Sequence, residues 1–437
     1  MIVNTVKQGD DGMRKMLLTG IVCLLMSCQF TSAETPTFSD TDWPWWRGEQ
    51  RQGHATTDTL PPLSWDDSAE TADNILWKTA IPGRGHGSPI LLADKVFLQI
   101  ADKSRQSLLL VCFRRDNGEK LWDCVVHEGA YDTTHQREPN TKASWASCTP
   151  ATDGQLVFVN FYFDKAVYTS AVDLSGKLRW QQRLCDYRIH QGYGSSPTIH
   201  EDLVISTADN KEGGQVVAMK RDSGEVVWRH ARPKEPNYAS PVVLPVAGKD
   251  QLILTGCDLV TSLDPLTGNV NWEIEGATTE CVTTTVTDGT HVFSSGGYPD
   301  NHISAVVAEG SGEVAWRVNT RVYVPSMLQK DGFLYMTLDA GVAMCVECET
   351  GDTQWKARLG GDFTASPVLV GDHIFAVNEA GEYSVFRANP DKFELVVKNK
   401  LGDSVYSTPT ISDGKIYHRV GYQEGDQRNE YLICIGE

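Results

Sequence analysis

The stretch Val217-Ala218-Met219-Lys220-Arg221-Asp222-Ser223-Gly224-Glu225-Val226-Val227-Trp228 reads as a strand, a tight turn and a second strand. Asp222-Ser223 are good turn occupants, and Gly224 supplies the positive φ that such a turn needs. The second half of this phrase, a glycine with a tryptophan four positions on, occurs at Gly118/Trp122, Gly176/Trp180, Gly224/Trp228, Gly268/Trp272, Gly312/Trp316 and Gly351/Trp355. These tryptophans stand 39 to 58 residues apart, the period of a four-stranded blade and too long for a leucine-rich or tetratricopeptide repeat.

A second marker lies upstream of the first. Ser-Pro or Thr-Pro occurs at Ser88, Thr149, Ser196, Ser240, Ser366 and Thr408, with degenerate counterparts near Thr283 and at Pro325-Ser326. Proline is tolerated at the first residue of a strand, so the pair marks entry to the innermost strand of each unit. In the third unit, Ser196 to Ile199 enters, Leu203 to Thr207 and Gln215 to Lys220 follow, and Glu225 to His230 is the outer strand. Unit seven has lost its tryptophan, and unit eight runs from Thr408 to the end with three strands. Leu76-Trp77-Lys78 is an outer strand with no unit before it. The pattern predicts an all-β chain: an eight-bladed β-propeller of four-stranded antiparallel blades over 75–437, its ring closed by the Trp77 strand in the last blade. Trp77, Trp122, Trp180, Trp228, Trp272, Trp316 and Trp355 are expected to pack between blades.

Residues 1–33 read as an export leader and 34–74 as an amino-terminal extension. Arg14-Lys15 precede an apolar run from Met16 to Met26 that is short for a membrane span. Asp10 and Asp11 before the basic pair suit a translation start at Met13. Leu25-Met26-Ser27-Cys28 resembles a lipidation box, making Cys28 a lipid-anchor candidate. Thr31-Ser32-Ala33 equally suits ordinary cleavage before Glu34. Both sites predict export to the periplasm or a membrane surface of a bacterium. In the extension, the aromatic run Trp43-Pro44-Trp45-Trp46 is expected to pack across the outside of a neighbouring blade.

Lys plus Arg total 39 against 57 Asp plus Glu, a net charge of −18. That balance repels phosphate backbones, excludes nucleic acid as an expected partner, and suits a soluble monomer. Eleven cysteines are present. Cys345-Val346-Glu347-Cys348 has the spacing of half a metal site, yet Cys345 and Cys112 each stand six residues before a repeat glycine, where Ala218 and Ser262 also stand. The position takes small residues for packing, and no metal site is expected. A Cys112 to Cys124 bridge across adjacent strands is open in an exported protein. No Gly-x-Ser-x-Gly, His-Glu-x-x-His or phosphate loop is present, and no catalytic residue is assigned.

The residues just before each unit start surround one mouth of a propeller's channel. Arg84, His86, Trp145, Tyr193, Tyr238, Arg321 and Tyr323 are the candidates there, with Lys142, His190, Glu280, Phe363 and Tyr406 in the same segments. Such a ring suits a planar ligand whose carboxylate is held by Arg84 or Arg321. The connection from His127 to Ser147, with His135, Arg137 and Glu138, is the longest between blades and the best candidate binding loop.

The Ser-Pro entry, the Ala-x-x-x-Asp third strand and the Gly-x-x-x-Trp outer strand resemble the pyrroloquinoline-quinone-type repeat over about residues 75 to 437. The resemblance implies the eight-bladed family that holds both quinoprotein dehydrogenases and the outer-membrane assembly lipoprotein BamB. The front motif Trp43 to Gly48 is similar to one in exported BamB-like proteins of planctomycete type. The dehydrogenases use an adjacent cysteine pair, a calcium held by Glu, Asn or Asp, and a catalytic Asp. This chain has no Cys-Cys dipeptide. The resemblance therefore implies a non-enzymatic envelope binding or scaffold propeller with envelope-protein partners and no cofactor. The alternative is a dehydrogenase of alcohols or sugars using the quinone with calcium. Peptide mapping of the preprotein is expected to begin at Met13; peptides from residues 1 to 12 would overturn that start.

Overall fold

The computed structural model describes residues 36–66, 73–129 and 139–437. Met13, Cys28 and the loop residues His135, Arg137 and Glu138 lie outside them. Among the described residues there is no helix; the strands form eight four-stranded antiparallel sheets, the blades of a propeller ring. The third blade comprises Thr198–His200, Leu203–Thr207, Gln215–Lys220 and Val226–Ala231, within a residue or two of the strands expected from its sequence. The blade that starts at Thr410–Ser412 continues through Lys415–Glu424 and Gln427–Ile435. Its fourth strand is Ile75–Ile81, with Trp77 opposite Cys434.

The glycine-tryptophan phrase has a contact-level cause. The indoles of Trp77, Trp122, Trp180, Trp228 and Trp316 each lie over the turn glycine of the following blade. A Cβ on Gly224 would stand 2.7 Å from the Trp180 ring, one on Gly268 2.6 Å from Trp228, and one on Gly351 2.7 Å from Trp316. Gly224 also has φ 73°. Glycine is thus required twice, for the turn and for the ring above it. The indole N–H groups donate to carbonyls of the same turns: Trp180 to Arg221 at 2.8 Å, Trp228 to Pro265 at 3.1 Å and Trp316 to Cys348 at 2.8 Å. Trp77 does the same for the first blade, donating to Arg115 at 3.1 Å beneath Gly118. Trp272 departs from the pattern. It donates to Gln251 at 2.9 Å, and Gln251 relays the link to Ala308 of the next blade at 2.9 Å.

Small residues stand opposite these indoles in the ladder: Cys112 faces Trp122, Ala171 Trp180, Ala218 Trp228, Ser262 Trp272 and Cys345 Trp355. Each pairing is followed by a bulge that turns the residue before the tryptophan outward, and Val227 is 46% exposed. Cys345 is therefore a packing thiol, pushed up to about 12 by burial. The Cys112 to Cys124 bridge is not made: Cys124 faces Leu110, and both are free thiols.

The entry pair has its own reason. The Ser88 N–H donates to Thr149 Oγ1 of the next blade, Thr149 to Ser196 and Ser196 to Ser240, at 2.9 to 3.0 Å. On the far side Thr284 donates to Ser326, Ser326 to Ser366 and Ser366 to Thr408, each at 2.9 Å. The hydroxyl side chains form a belt around the channel, and the proline after them needs no donor. Thr284, rather than Thr283, fills the fifth position of this belt.

The aromatic run Trp43 to Trp46 does not pack on the outside of a blade. It crosses the base of the ring. Trp43 exchanges backbone hydrogen bonds with Leu91, Thr152 donates to Pro44, and Arg51 reaches the Ile199 carbonyl. Trp46 donates to Thr284, Gln52 accepts from Thr287, Ala55 pairs with Leu369, and Thr41 accepts from Ser412. Six innermost strands or their entries are thereby tied to one strap. Inner-strand carbonyls at a ring's base have no partner within their own sheet, and this crossing segment supplies one. Arg47 is the deepest part, fully buried, donating to the carbonyls of Pro367, Gln52 and Met327. Burial brings it down to about 9, so it stays charged at neutral pH.

Three stability outcomes follow. Trp228 is 8% exposed, and Trp228→Ala is expected to cost roughly 3–5 kcal/mol. Arg47→Leu leaves buried carbonyls without donors and should cost about 3 kcal/mol or more. Denaturant titration checks both, and a change under about 0.5 kcal/mol would refute either. His127, His302 and His418 are buried, and burial brings each down to about 4. The unfolded value is near 6.5, so between about 6.5 and 4 the unfolded chain binds protons that the folded one does not. Their stability is full above about pH 6.5 and falls with acidity, by up to ~1.4 kcal/mol per pH unit each. Calorimetry at about pH 7.5 and 5 is expected to show a lower Tm at the acidic end.

Candidate functional site

Strand direction alternates within each blade, so the connections between blades and the turns between second and third strands lie at one end of the ring. The glycine-tryptophan turns and the strap lie at the other. Between the strap and the open end is a cavity of about 680 Å³, bordered by Trp46 and the belt residues Ser196, Ser240 and Ser366. Its volume falls within the ~300–1,000 Å³ usual for small-molecule sites.

Five of the expected residues line it: His86, Tyr193, Tyr238, Arg321 and Tyr323. Two do not. Trp145 is buried against Tyr162, with ring centroids 5.8 Å apart, and is a packing residue. Arg84 exchanges backbone hydrogen bonds with Ala101, and its guanidinium reaches the Thr141 carbonyl at 3.5 Å. Arg84 is not among the residues that border the cavity. Arg321 donates to the Gly297 carbonyl at 2.6 Å and lies over the Tyr323 ring at 4.8 Å, so it ties its own loop to the turn at Gly297. Tyr193 presents its ring while its hydroxyl donates to Thr207 at 2.8 Å.

One side of the cavity carries a chain of hydrogen bonds across four blades. His190 Nδ1 is 3.1 Å from the Tyr238 hydroxyl and 3.2 Å from Glu280 Oε1. The Tyr323 hydroxyl donates to Glu280 Oε2 at 3.0 Å, and the Tyr323 N–H donates to Asp339 at 2.8 Å. Burial raises Asp339 above the ordinary carboxylate range. Burial and then the Glu280 charge raise the Tyr323 phenol.

The other side is built around His86. Its ring stacks on Tyr406, centroids 4.4 Å apart and planes 16° from parallel, and Nδ1 lies 3.2 Å from the Lys142 carbonyl. Burial, followed by the charges of Arg84, Arg419 and Arg428, holds His86 well below its ordinary value. The Nδ1 contact with that carbonyl is a hydrogen bond donated by the imidazole, and among the described residues Nε2, which is itself closed off from solvent, has no partner. Lys142 reaches over to Glu379 at 2.7 Å; against the cost of burial, that pairing holds the ammonium above its ordinary range.

Trp46, Asp339, Asp362 and Tyr298 also line the cavity and were not among the candidates. Asp339 sits in the turn between second and third strands of its blade, which strand alternation brings to the same mouth. That geometry was available from the repeat pattern. Trp46 carries no such marker, because its position depends on the strap's path through the ring's base.

The likeness to known proteins follows the fold. Among solved structures, BamB from Moraxella catarrhalis superposes with TM-score 0.54 at 13% identity, over 81% of this chain and 97% of its own. The quinohemoprotein alcohol dehydrogenase of Comamonas testosteroni gives 0.65 at 12% identity, over 91% and 81%. A second quinohemoprotein alcohol dehydrogenase, from Pseudomonas putida HK5, gives 0.64 at 11%, over 92% and 83%. At these identities the likeness shows the fold alone. No curated protein sequence matches the chain. The family model described as outer membrane protein assembly factor BamB matches residues 105–298 and 299–392, more than half of the chain, and with the eight-bladed repeat architecture this establishes that the chain belongs to that family.

Proposed function

We propose that the chain is an exported, non-enzymatic binding or scaffold propeller of the bacterial cell envelope, with envelope proteins as partners. The observation that carries this reading is the mutual engagement of the cavity's ionisable groups. Glu280 holds Tyr323 and His190, Lys142 holds Glu379, and Arg321 holds Gly297. Such a lining is a preorganised recognition surface, in which the groups that would move protons are fixed to one another. The leader with Arg14-Lys15, and the alternatives of lipidation at Cys28 or cleavage after Ala33, support export. The family's description as an outer membrane protein assembly factor supports an envelope role.

The quinone and calcium of the dehydrogenase branch suit these residues poorly. The quinone's carboxylates would face Glu280, Asp339 and Asp362, while the two lining cations are already engaged. Among the described residues, no three His, Cys, Asp or Glu side chains converge as a cation site. Reconstitution decides between the readings. Purified protein incubated with the quinone and Ca²⁺, then desalted, is expected to retain no quinone absorbance and to reduce no dye with an alcohol or aldose. Stoichiometric retention with dye reduction would establish the dehydrogenase instead.

A further inference from the structure

Seven of the eight outer strands carry the repeat's tryptophan, and Leu395–Lys400 of the seventh blade does not. Val397 stands in its place. It faces Val385 just before the bulge, as Trp355 faces Cys345 in the preceding blade. The missing indole coincides with the seam of the ring. The eighth blade takes its fourth strand from Ile75–Ile81, so no turn joins its third and fourth strands. The two chain segments meet where the Gly436 N–H donates to the Asn74 carbonyl at 3.0 Å.

The amino-terminal extension leaves the base of the ring at this cleft. A Cβ on Gly371 of the seventh blade would stand 3.5 Å from Asp58, and one on Gly414 of the eighth 3.0 Å from Thr59. Asn399 of the seventh outer strand then donates to the Leu63 carbonyl at 2.7 Å, and Asn74, just before the eighth blade's fourth strand, donates to the Ser64 carbonyl at 2.8 Å. Trp65 is 7% exposed; its indole N–H donates to the Lys400 carbonyl at 2.9 Å, and its ring meets Tyr383 edge to face, centroids 5.0 Å apart. It shares one apolar cluster with Tyr383 and Leu401 from the seventh blade and Ile416 and Val420 from the eighth. The extension thus returns an indole to the junction whose own outer strand lacks one.

From Tyr383 the contacts continue to the cavity. The Tyr383 hydroxyl lies 2.7 Å from His418 Nδ1, and His418 Nε2 lies 2.9 Å from the Ser407 carbonyl. A carbonyl only accepts, so the proton of the neutral ring is on Nε2 and Nδ1 accepts from Tyr383. Ser407 stands between Tyr406 and Thr408, both of which border the cavity.

We propose that residues 58–66 are a latch: Trp65 holds the eighth blade against the seventh and, through Tyr383 and His418, fixes the wall of the cavity from Tyr406 to Thr408. Adjacent blades are joined by side chains, so withdrawal of this segment releases the eighth blade as one unit. The device does not depend on what the cavity binds.

Hydrogen exchange of the mature protein at neutral pH, read by peptide mass spectrometry, tests it. Trp65→Ala is expected to speed exchange about tenfold in Leu395–Lys400, Lys415–Glu424 and Gln427–Ile435 and at the cavity wall from Tyr406 to Thr408, with the second to fifth blades unchanged. Trp65→Phe keeps a ring against Tyr383 and loses the N–H donor; it should change the same peptides by less, and it decides the matter if the alanine variant does not fold. Trp316→Ala, at a junction sealed by its own outer strand, should speed exchange in its own two blades and leave Tyr406 to Thr408 as in the wild type. Uniform acceleration around the ring by Trp65→Phe, acceleration confined to Leu395–Lys400, or no change in either Trp65 variant would each overturn the proposal.

Discussion

An indole laid over a glycine is the contact on which the ring depends. Blades in a propeller share no backbone ladder, so their association must come from side chains at the cleft. In this chain that side chain is a tryptophan reaching forward from one outer strand to cover the turn of the next. The turn must lack a Cβ to admit the ring, and the facing residue of the third strand must be small to let the indole turn. A bulge then restores the register. Four features of the repeat, the glycine, the tryptophan, the small residue and the bulge, are consequences of one packing requirement.

Two further devices act at different depths of the ring. The hydroxyl belt joins successive innermost strands through one hydrogen bond per junction where it is formed. The strap joins strands that are not successive, because it crosses the base and bonds to blades on opposite sides. Arg47 gathers carbonyls from two blades and the strap itself, and so trades its own hydration for a set of charge-assisted hydrogen bonds. With the base occupied, the channel is a blind cavity open at one mouth. A ligand there would meet Trp46 as one boundary and the inter-blade connections as walls.

The parts of the site that repeat-based reasoning could reach are those with a fixed offset from a repeat marker. His86, Tyr193, Tyr238, Arg321 and Tyr323 all precede a unit entry by a few residues, and all border the cavity. Arg84 and Trp145 share that offset and still miss it, because within a connection the backbone turn decides which side chain points inward. Arg84 is held by a bridge to Ala101, and Trp145 is drawn under the neighbouring blade toward Tyr162. The state of His86 was equally out of reach, since its neutrality comes from burial and from three arginines distributed between both ends of the chain.

The order of strands, the number of blades and the register of the tryptophans follow from local chemistry repeated at a fixed period, and every residue that specifies them lies within its own unit. They were therefore legible from the linear chain. The path of residues 41–55, the side of the cavity on which each charge stands, and the partners of Glu280, Lys142 and Arg47 join residues tens to hundreds of positions apart. Contacts at that separation leave no periodic trace. They come into being when the blades are assembled around a common axis, which sets eight unrelated connections side by side and brings the strap beneath them.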